Sequence, residues 1–267
     1  MRLRRTWRRG LLLVRSITDE VFPLGFVDFA FQFAILSTTY GAYTLARAAA
    51  HGAGETAIAN GTAVMKAEQG LGIYVEPWLQ TKVSHVEPLI HGLNWFYLNV
   101  HLPVILGLLI WLYMGRRRQF QFFRNWFLAL NALGVLCYVL IPTAPPRLVP
   151  SSGIVDTLFL MSHQNFQGGL LGSFANPYAA MPSLHIGYAL FVAVALGLLV
   201  RQRWVRIVAY VYPLAMLAVI TITGNHWLLD GLGAAIVCVA AYVFVARLSR
   251  VPAGATELLP APVRWRE

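Results

Sequence analysis

Three short motifs in this 267-residue chain combine basic, hydroxyl and carboxylate side chains at spacings that suit chemistry on an anion. They are PTAPPR (142–147), AMPSLH (180–185) and GNHWLLD (224–230). Each lies at the end of a long apolar segment. The motifs are weak signals one by one, so their value depends on whether the fold brings them to one place.

In the third motif, His226 and Asp230 are four residues apart and therefore share one face of a helix. A carboxylate at that position can accept a hydrogen bond from one imidazole nitrogen. That bond fixes the tautomer and leaves the other nitrogen as a nucleophile or base. An unpaired charge is costly one turn into an apolar helix. A structural His–Asp pair with no chemical role is the alternative.

The second and first motifs carry groups that suit an anion such as phosphate. Pro182 and Ser183 are typical of a helix start, where spare N–H groups and partial positive charge favour an anion, and His185 falls in that first turn. In the first motif, two prolines restrict the backbone before Arg147, whose planar guanidinium can donate two hydrogen bonds to phosphate oxygens. The alternatives are an ordinary helix start with an interfacial histidine and an arginine that contacts lipid headgroups.

Two further residues are weaker candidates for the same site. His101 lies in the outer half of an apolar segment, and Tyr97 precedes it by about one helical turn. A packing or interfacial role explains this pair equally well.

The composition indicates which elements must position these motifs. Hydrophobic residues make up 58% of the chain and charged residues 12%, against about 25% charged in a soluble domain. A spanning helix needs about 20 apolar residues. The sequence predicts an all-α, polytopic membrane bundle with six transmembrane helices, at Phe22–Leu45, Trp95–Met114, Trp126–Ile141, Pro182–Val200, Val205–Thr223 and Trp227–Ala246.

The distribution of basic residues predicts the orientation. With both termini in the cytoplasm, six spans place 17 of the 21 Lys and Arg residues in cytoplasmic segments and leave only Arg47, Lys66, Lys82 and Arg147 outside. All seven histidines and the three motifs then face the outer side. A basic chain can indicate nucleic-acid binding, but these arginines lie between apolar segments, so we expect none. Arg116–Arg118 and Arg124 lie about a membrane thickness from the motifs.

The remaining segments complete the predicted organisation. Residues 1–20 are expected to form a basic interfacial helix on anionic lipid at the cytoplasmic face, residues 21–250 the six-helix domain, and residues 251–267 a disordered tail. The outer segment Ala46–Asn94 is expected to hold an interfacial helix around Ala63–Gln80. Cys137 and Cys238 fall in apolar runs and indicate packing thiols, with neither a metal site nor a disulfide.

Together the motifs resemble the type 2 phosphatidic acid phosphatase superfamily of membrane lipid-phosphate enzymes. That signature has a basic motif ending in Arg-Pro, then Pro-Ser-Gly-His, then Ser-Arg-x5-His-x3-Asp. PSLH (182–185) matches the second with Leu for Gly, and His226-x3-Asp230 matches the end of the third. The forms APPR, AAMPSLH and GNHWLLD are closer to the inositolphosphotransferase-like branch, which includes the fungal inositol phosphorylceramide synthases. The resemblance covers roughly residues 65 to 245.

The resemblance implies a phosphoric ester hydrolase or phosphotransferase without a metal or other cofactor. His226 would attack phosphorus and form a phosphohistidine, Asp230 would orient it, and His185 would protonate the leaving alkoxide. Arg147 and Ser183 would hold the phosphate oxygens. A membrane lipid phosphate would be the substrate, and water or a polyol or sugar alcohol the acceptor. The Arg-rich and Ala-rich composition predicts a bacterial plasma membrane, with the site on the extracytoplasmic side.

The sequence departs from the family pattern at two cationic positions. The Ser-Arg of the third motif falls at Val219 and Ile220, and the Lys of the first motif falls at Leu140. We therefore expect Arg147 to carry more of the phosphate charge, helped by Asn225, His101 or the outer lysines. A lipid-binding or transport membrane protein without catalysis, or a catalytically silent relative, is the competing interpretation.

Overall fold

The computed structural model describes residues 25–49, 54–158 and 178–249, and these residues are almost entirely helical and contain no β-strand. The predicted interfacial helix at 1–20 and the disordered tail at 251–267 lie outside the described residues. The helices are α1 (Phe26–Ala49), α2 (Gly54–Leu71), α3 (Glu76–Ser84), α4 (Glu87–Asn99), α5 (His101–Gly115), α6 (Arg117–Leu140), α7 (Leu184–Leu199), α8 (Arg203–Ile222) and α9 (Leu228–Leu248).

Helices form at all six predicted spans. Within the part of the chain that the structure describes, four stretches are long and apolar enough to cross a bilayer, namely Glu87–Gly115, Gln119–Leu140, Arg203–Ile222 and Leu228–Leu248. The helix α7 is apolar but has only 16 residues, and in α1 the stretch Phe26–Ile35 is apolar. An all-helical architecture with candidate membrane-spanning helices is therefore confirmed, whereas the count of six spans and the cytoplasmic position of the termini stay predictions.

Three predicted boundaries were wrong. The interfacial helix expected at Ala63–Gln80 is two helices, α2 and α3, because Gly72 ends α2 in the left-handed conformation (φ +70°) and Pro77 opens α3. The second predicted span begins earlier, as α4, and is interrupted at Val100 before α5. The third extends back to the start of α6.

The helix α7 lies at the centre of the bundle and contacts α5, α6, α8 and α9. Large aromatic side chains pack where these helices meet. Trp126 of α6 is buried against Phe191 of α7, with ring centroids 5.0 Å apart, and donates its indole N–H to the carbonyl of Cys238 at 3.0 Å. Both cysteines are free.

The outward faces of the long helices are apolar and exposed. Ile110 of α5, Leu136 of α6, Val211 of α8 and Val239 of α9 are each more than half exposed. A soluble domain rarely leaves such continuous apolar surface uncovered. These faces therefore suit contact with lipid acyl chains.

At one end of the bundle, α2 and α3 pack over the segment that follows α6. Ala144 donates its N–H to the carbonyl of Ala57 at 2.9 Å, and the Asn60 amide donates to the carbonyl of Pro142 at 2.8 Å. A Cβ added to Gly61 would lie 2.6 Å from the Ala144 oxygen, so only glycine permits this close approach. These contacts fix the chain that leads into the first motif.

Candidate active site

The three motifs meet at one end of the bundle. His226 lies in the turn between α8 and α9, which is closed by the N–H groups of Asn225 and His226 donating to the carbonyl of Ile220 at 2.9 and 3.2 Å. Gly224 starts this turn with φ +72°. Trp227 is fully buried behind it and donates its indole N–H to the carbonyl of Ala144 at 2.9 Å. The first and third motifs are thereby joined.

The imidazole of His226 is 5% exposed and is held through Nδ1 alone. Nδ1 lies 2.9 Å from the carbonyl oxygen of Ala180 and 3.2 Å from Oδ2 of Asp230. A carbonyl only accepts, so Nδ1 must carry the proton. The lone pair is then on Nε2, which makes no hydrogen bond within the described residues. This is the tautomer that a nucleophilic histidine requires.

Asp230 is fully buried, and its carboxylate makes a second hydrogen bond besides the one with His226. Its Oδ2 also accepts the backbone N–H of Trp227 at 2.9 Å, which caps the first turn of α9. The predicted His–Asp pair is therefore present. The same carboxylate orients the imidazole and closes the turn that carries it.

His185 lies beside His226. Their ring centroids are 5.4 Å apart, with the planes inclined by 62°. His185 is half-buried, and the ring of Tyr97 contacts it at a centroid distance of 4.6 Å. The two imidazoles could thus approach the same substrate group from two directions, which is the arrangement that a nucleophile and a proton donor need.

Ser183 is fully buried and starts α7. Its side-chain oxygen faces the N–H of Ile186 at 3.5 Å, and its own N–H donates to the carbonyl of Asp230 at 3.1 Å. The predicted N-cap is present. The backbone link to Asp230 joins the second motif to the third.

Arg147 lies against the turn that carries His226. Its backbone N–H donates to the carbonyl of Gly224 at 3.2 Å and its Nη1 donates to Oδ1 of Asn225 at 2.6 Å. Its Nε forms an ion pair with Asp156 at 3.2 Å. Asn225 is itself fixed, because its amide donates to the hydroxyl of Thr223 at 2.8 Å. The predicted arginine is therefore in place, with a carboxylate beside it.

His101 stacks into the same group of rings and is 7% exposed. Its centroid lies 5.1 Å from that of His185, and its Nδ1 lies 2.8 Å from the hydroxyl of Tyr212. Its Nε2 is buried without a hydrogen-bond partner among the described residues. The two weaker candidates, His101 and Tyr97, thus both contact the ring of His185.

The two positions where the family pattern has cations, 220 and 140, carry aliphatic side chains. Ile220 is fully buried among Ile186, Ala189 and Met216. Leu140 is 68% exposed on the outer surface of α6. Neither region could hold an anion, so Arg147 is the cation that the three motifs supply.

Two acidic residues that the sequence did not single out hold the helix of the third motif. Glu68 accepts the N–H of Leu229 at 2.7 Å and Glu76 accepts the N–H of Leu228 at 3.0 Å. Both carboxyl groups are fully buried. With Asp230, three carboxyl groups thus accept the N–H group of the N-cap residue Trp227 and those of the first two residues of α9, at the end where the helix dipole favours negative charge.

Burial and, to a smaller extent, a hydrogen bond with the neighbouring Glu76 carboxyl together raise the pKa of Glu68 to about 9. Glu68 therefore keeps its proton at neutral pH and can donate it to Glu76. In the sequence, these two residues appear only as two glutamates, eight positions apart, in the weakly polar segment between the first two predicted spans. This spacing does not reveal that both reach α9.

A bundle with apolar, exposed outer faces and a cluster of histidines at one end defines a helical protein of the membrane type. The chain belongs to the PAP2 superfamily, whose family model matches residues 62–244, well over half of its length. No curated protein and no solved structure gives a significant match. Membership supports a phosphoric ester hydrolase or transferase in general terms.

Proposed function

We propose that the protein is an integral membrane phosphatase or phosphotransferase that acts on a lipid-linked phosphate through a phosphohistidine on His226. The hydrogen bond from Nδ1 to Ala180 supports this function best, because it leaves the lone pair on Nε2 beside the ring of His185. A structural histidine gains nothing from an unpaired Nε2. Asp230 next to the same nitrogen stabilises the positive charge that the ring acquires on phosphorylation.

In the first step, Nε2 of His226 attacks phosphorus and the bond from phosphorus to the lipid alkoxide breaks. His185, protonated, gives its proton to that alkoxide. Arg147, with the amide of Asn225 and the N–H groups around Ser183, holds the non-bridging oxygens and offsets their charge. Positioning and charge stabilisation supply most of the catalysis in such transfers.

In the second step, the bond from phosphorus to Nε2 breaks. Neutral His185 takes a proton from water or from an alcohol, whose oxygen attacks phosphorus. Water gives inorganic phosphate, and an alcohol such as a polyol or sugar gives a new phosphoester. The GNHWLLD and AAMPSLH forms favour the second outcome, as in the inositolphosphotransferase-like branch, with the site on the extracytoplasmic side of a bacterial plasma membrane.

The test is phosphate release from a panel of lipid phosphates by the purified protein, with and without inositol, glycerol phosphate or sugar acceptors. We expect His226→Ala to abolish turnover and His85→Ala, an exposed histidine of the same outer region, to retain it. Labelled substrate should leave an acid-labile, alkali-stable phosphate on the wild-type chain and none on His226→Ala. Full turnover by His226→Ala would exclude the phosphohistidine.

A further inference from the structure

A cleft of about 830 Å³ lies between α5 and α7 and extends toward the end of the bundle opposite the candidate site. Its walls are aliphatic along the two helices, with Val104, Gly107 and Leu108 on one side and Val192 and Leu196 on the other. From Val104 to Trp111 the wall of α5 rises about 10 Å. The cleft is thus a long apolar groove of the size that binds one amphiphile.

At the end farther from the candidate site, the lining of the cleft changes from aliphatic to basic and aromatic side chains. Arg116 follows α5, and Arg201 and Gln202 connect α7 to α8, with Trp111 and Trp204 beside them. The guanidinium of Arg116 lies 5.5 Å from the ring centroid of Trp111, and its Nη2 donates to the carbonyl of Leu199 at 3.4 Å. Trp and Arg together are typical of the boundary between acyl chains and headgroups.

The helices that form the cleft contain no acidic residue that could neutralise the positive charge of these arginines. The sequence contains no Asp or Glu between Glu87 and Asp156, or between Asp156 and Asp230. The helices α5, α7 and α8 therefore carry no carboxylate. Two cations at the mouth of an apolar groove complement an anionic headgroup joined to an acyl chain.

We propose that this cleft binds one anionic glycerophospholipid from the leaflet opposite the candidate site. Its phosphate lies between Arg116 and Arg201, Gln202 offers a further hydrogen bond, and one acyl chain lies along the α5–α7 groove. The groove shields that chain from exchange with bulk lipid, while the two arginines distinguish an anionic from a zwitterionic headgroup. The wall formed by α7 continues to Ser183 and His185 at the other end, so an occupied cleft would brace the helix that carries them.

Fluorescence quenching of the purified full-length protein in detergent can test this proposal, because Trp111 and Trp204 line the cleft. Brominated phosphatidylglycerol and brominated phosphatidylcholine are titrated in parallel. We expect saturable quenching with a preference for phosphatidylglycerol of roughly fivefold per arginine. The saturable part should be absent in Trp111→Phe/Trp204→Phe, which identifies it with the cleft.

Arginine variants identify the headgroup contact. Arg116→Gln/Arg201→Gln should lose the preference, Arg116→Lys/Arg201→Lys should keep most of it, and Arg203→Gln, one residue beyond Gln202 and outside the cleft lining, should keep all of it. Equal quenching by the two lipids would overturn the proposal. So would an equal loss of preference in Arg203→Gln, since that outcome assigns the effect to general surface charge.

Discussion

The Nδ1 atom of His226 lies closer to the carbonyl oxygen of Ala180, at 2.9 Å, than to the carboxylate of Asp230, at 3.2 Å. The tautomer of His226 is therefore fixed by the backbone of the AMPSLH motif as well as by its own helix neighbour. This bond also ties the start of α7 to the turn before α9. Orientation and charge stabilisation, which one carboxylate often supplies alone, are here divided between two groups.

Asp230→Asn should consequently impair the protein less than His226→Ala does. The Ala180 carbonyl still holds the Nδ1 proton, and the amide oxygen can still accept the Trp227 N–H. What is lost is the negative charge beside the ring, which we expect to lower kcat by about 10- to 100-fold, or about 1.4–2.7 kcal/mol. Steady-state kinetics on a lipid phosphate measure the loss. Complete inactivation by Asp230→Asn, with the fold intact, would contradict the shared role of Ala180.

A second prediction separates His185 from His226. If His185 protonates the leaving alkoxide, His185→Ala should lower turnover of an alkyl phosphate by about 10²- to 10⁴-fold. A phenyl phosphate with an acidic leaving group needs no such proton, so its phosphorylation step should change little. Burst kinetics with both substrates give this comparison. His226→Ala is the control, and should lose both activities; equal losses on both substrates in His185→Ala would rule out a role in leaving-group protonation.

The ion pair of Arg147 with Asp156 leads to a third prediction. Both side chains are partly exposed, so the pair contributes little to folding stability, but the carboxylate competes with phosphate for the guanidinium. Arg147→Ala should raise KM and weaken inhibition by vanadate, whereas Asp156→Asn should strengthen vanadate inhibition a few-fold. Arg147→Lys should recover only part of the affinity, because an ammonium lacks the planar fork. Weaker inhibition in Asp156→Asn would mean that the carboxylate positions Arg147 and does not compete.

The sequence predicted the helical class from local signals, and it predicted that the three motifs lie at the same end of the bundle from the number of spans and the distribution of basic residues. Apolar length sets the helices, and the i, i+4 spacing sets the contact of His226 with Asp230. The break at Gly72 was missed because a single glycine in a weakly polar segment is compatible with a continuous helix. The contacts of Glu68 with Leu229 and of Ala180 with His226 were not predictable, since they join elements far apart in sequence and depend on tertiary packing.

The Glu68 carboxyl leads to a prediction about pH. Its pKa is raised to about 9 in the folded protein, whereas an unfolded chain releases that proton near pH 4.3. Between these values the folded state binds more protons, so this contribution to stability is complete below about pH 4 and declines as the pH rises toward 9. Glu76, Asp230 and Tyr74 face the same carboxyl, and burial raises the pKa of Tyr74 to about 12, so that phenol stays neutral throughout.

Thermal unfolding between pH 5 and 9 tests this linkage. Glu68→Gln keeps an acceptor for the Leu229 N–H and a donor for Glu76 but cannot ionise, so its Tm should fall less across the range than that of the wild type. We expect a difference of at least a few degrees, since about 1 kcal/mol corresponds to roughly 2–4 °C for a domain of this size. Glu87→Gln, an exposed acid in the first turn of α4, is the matched control. Parallel curves for Glu68→Gln and the wild type would show that Glu68 is charged when folded.

Gly224 provides a prediction about the geometry of the turn that carries His226. Its φ of +72° disfavours any other residue, and an added Cβ would lie 2.6 Å from Cγ2 of Ile154 and 3.6 Å from Cβ of Arg147. Gly224→Ala should therefore cost about 1–2 kcal/mol for the backbone alone and should displace Asn225 and Arg147, which raises KM more than it lowers kcat. Ile154→Ala in the same chain removes the shortest contact but neither the backbone strain nor the 3.3 Å approach to the carbonyl oxygen of Val155, so the double variant should recover most of the loss in KM while stability stays low. Gly70→Ala, a helical position with open space around it, should leave KM unchanged and should not lower stability, because alanine favours a helix over glycine. Failure of the double variant to recover KM would show that the turn does not set the position of Arg147.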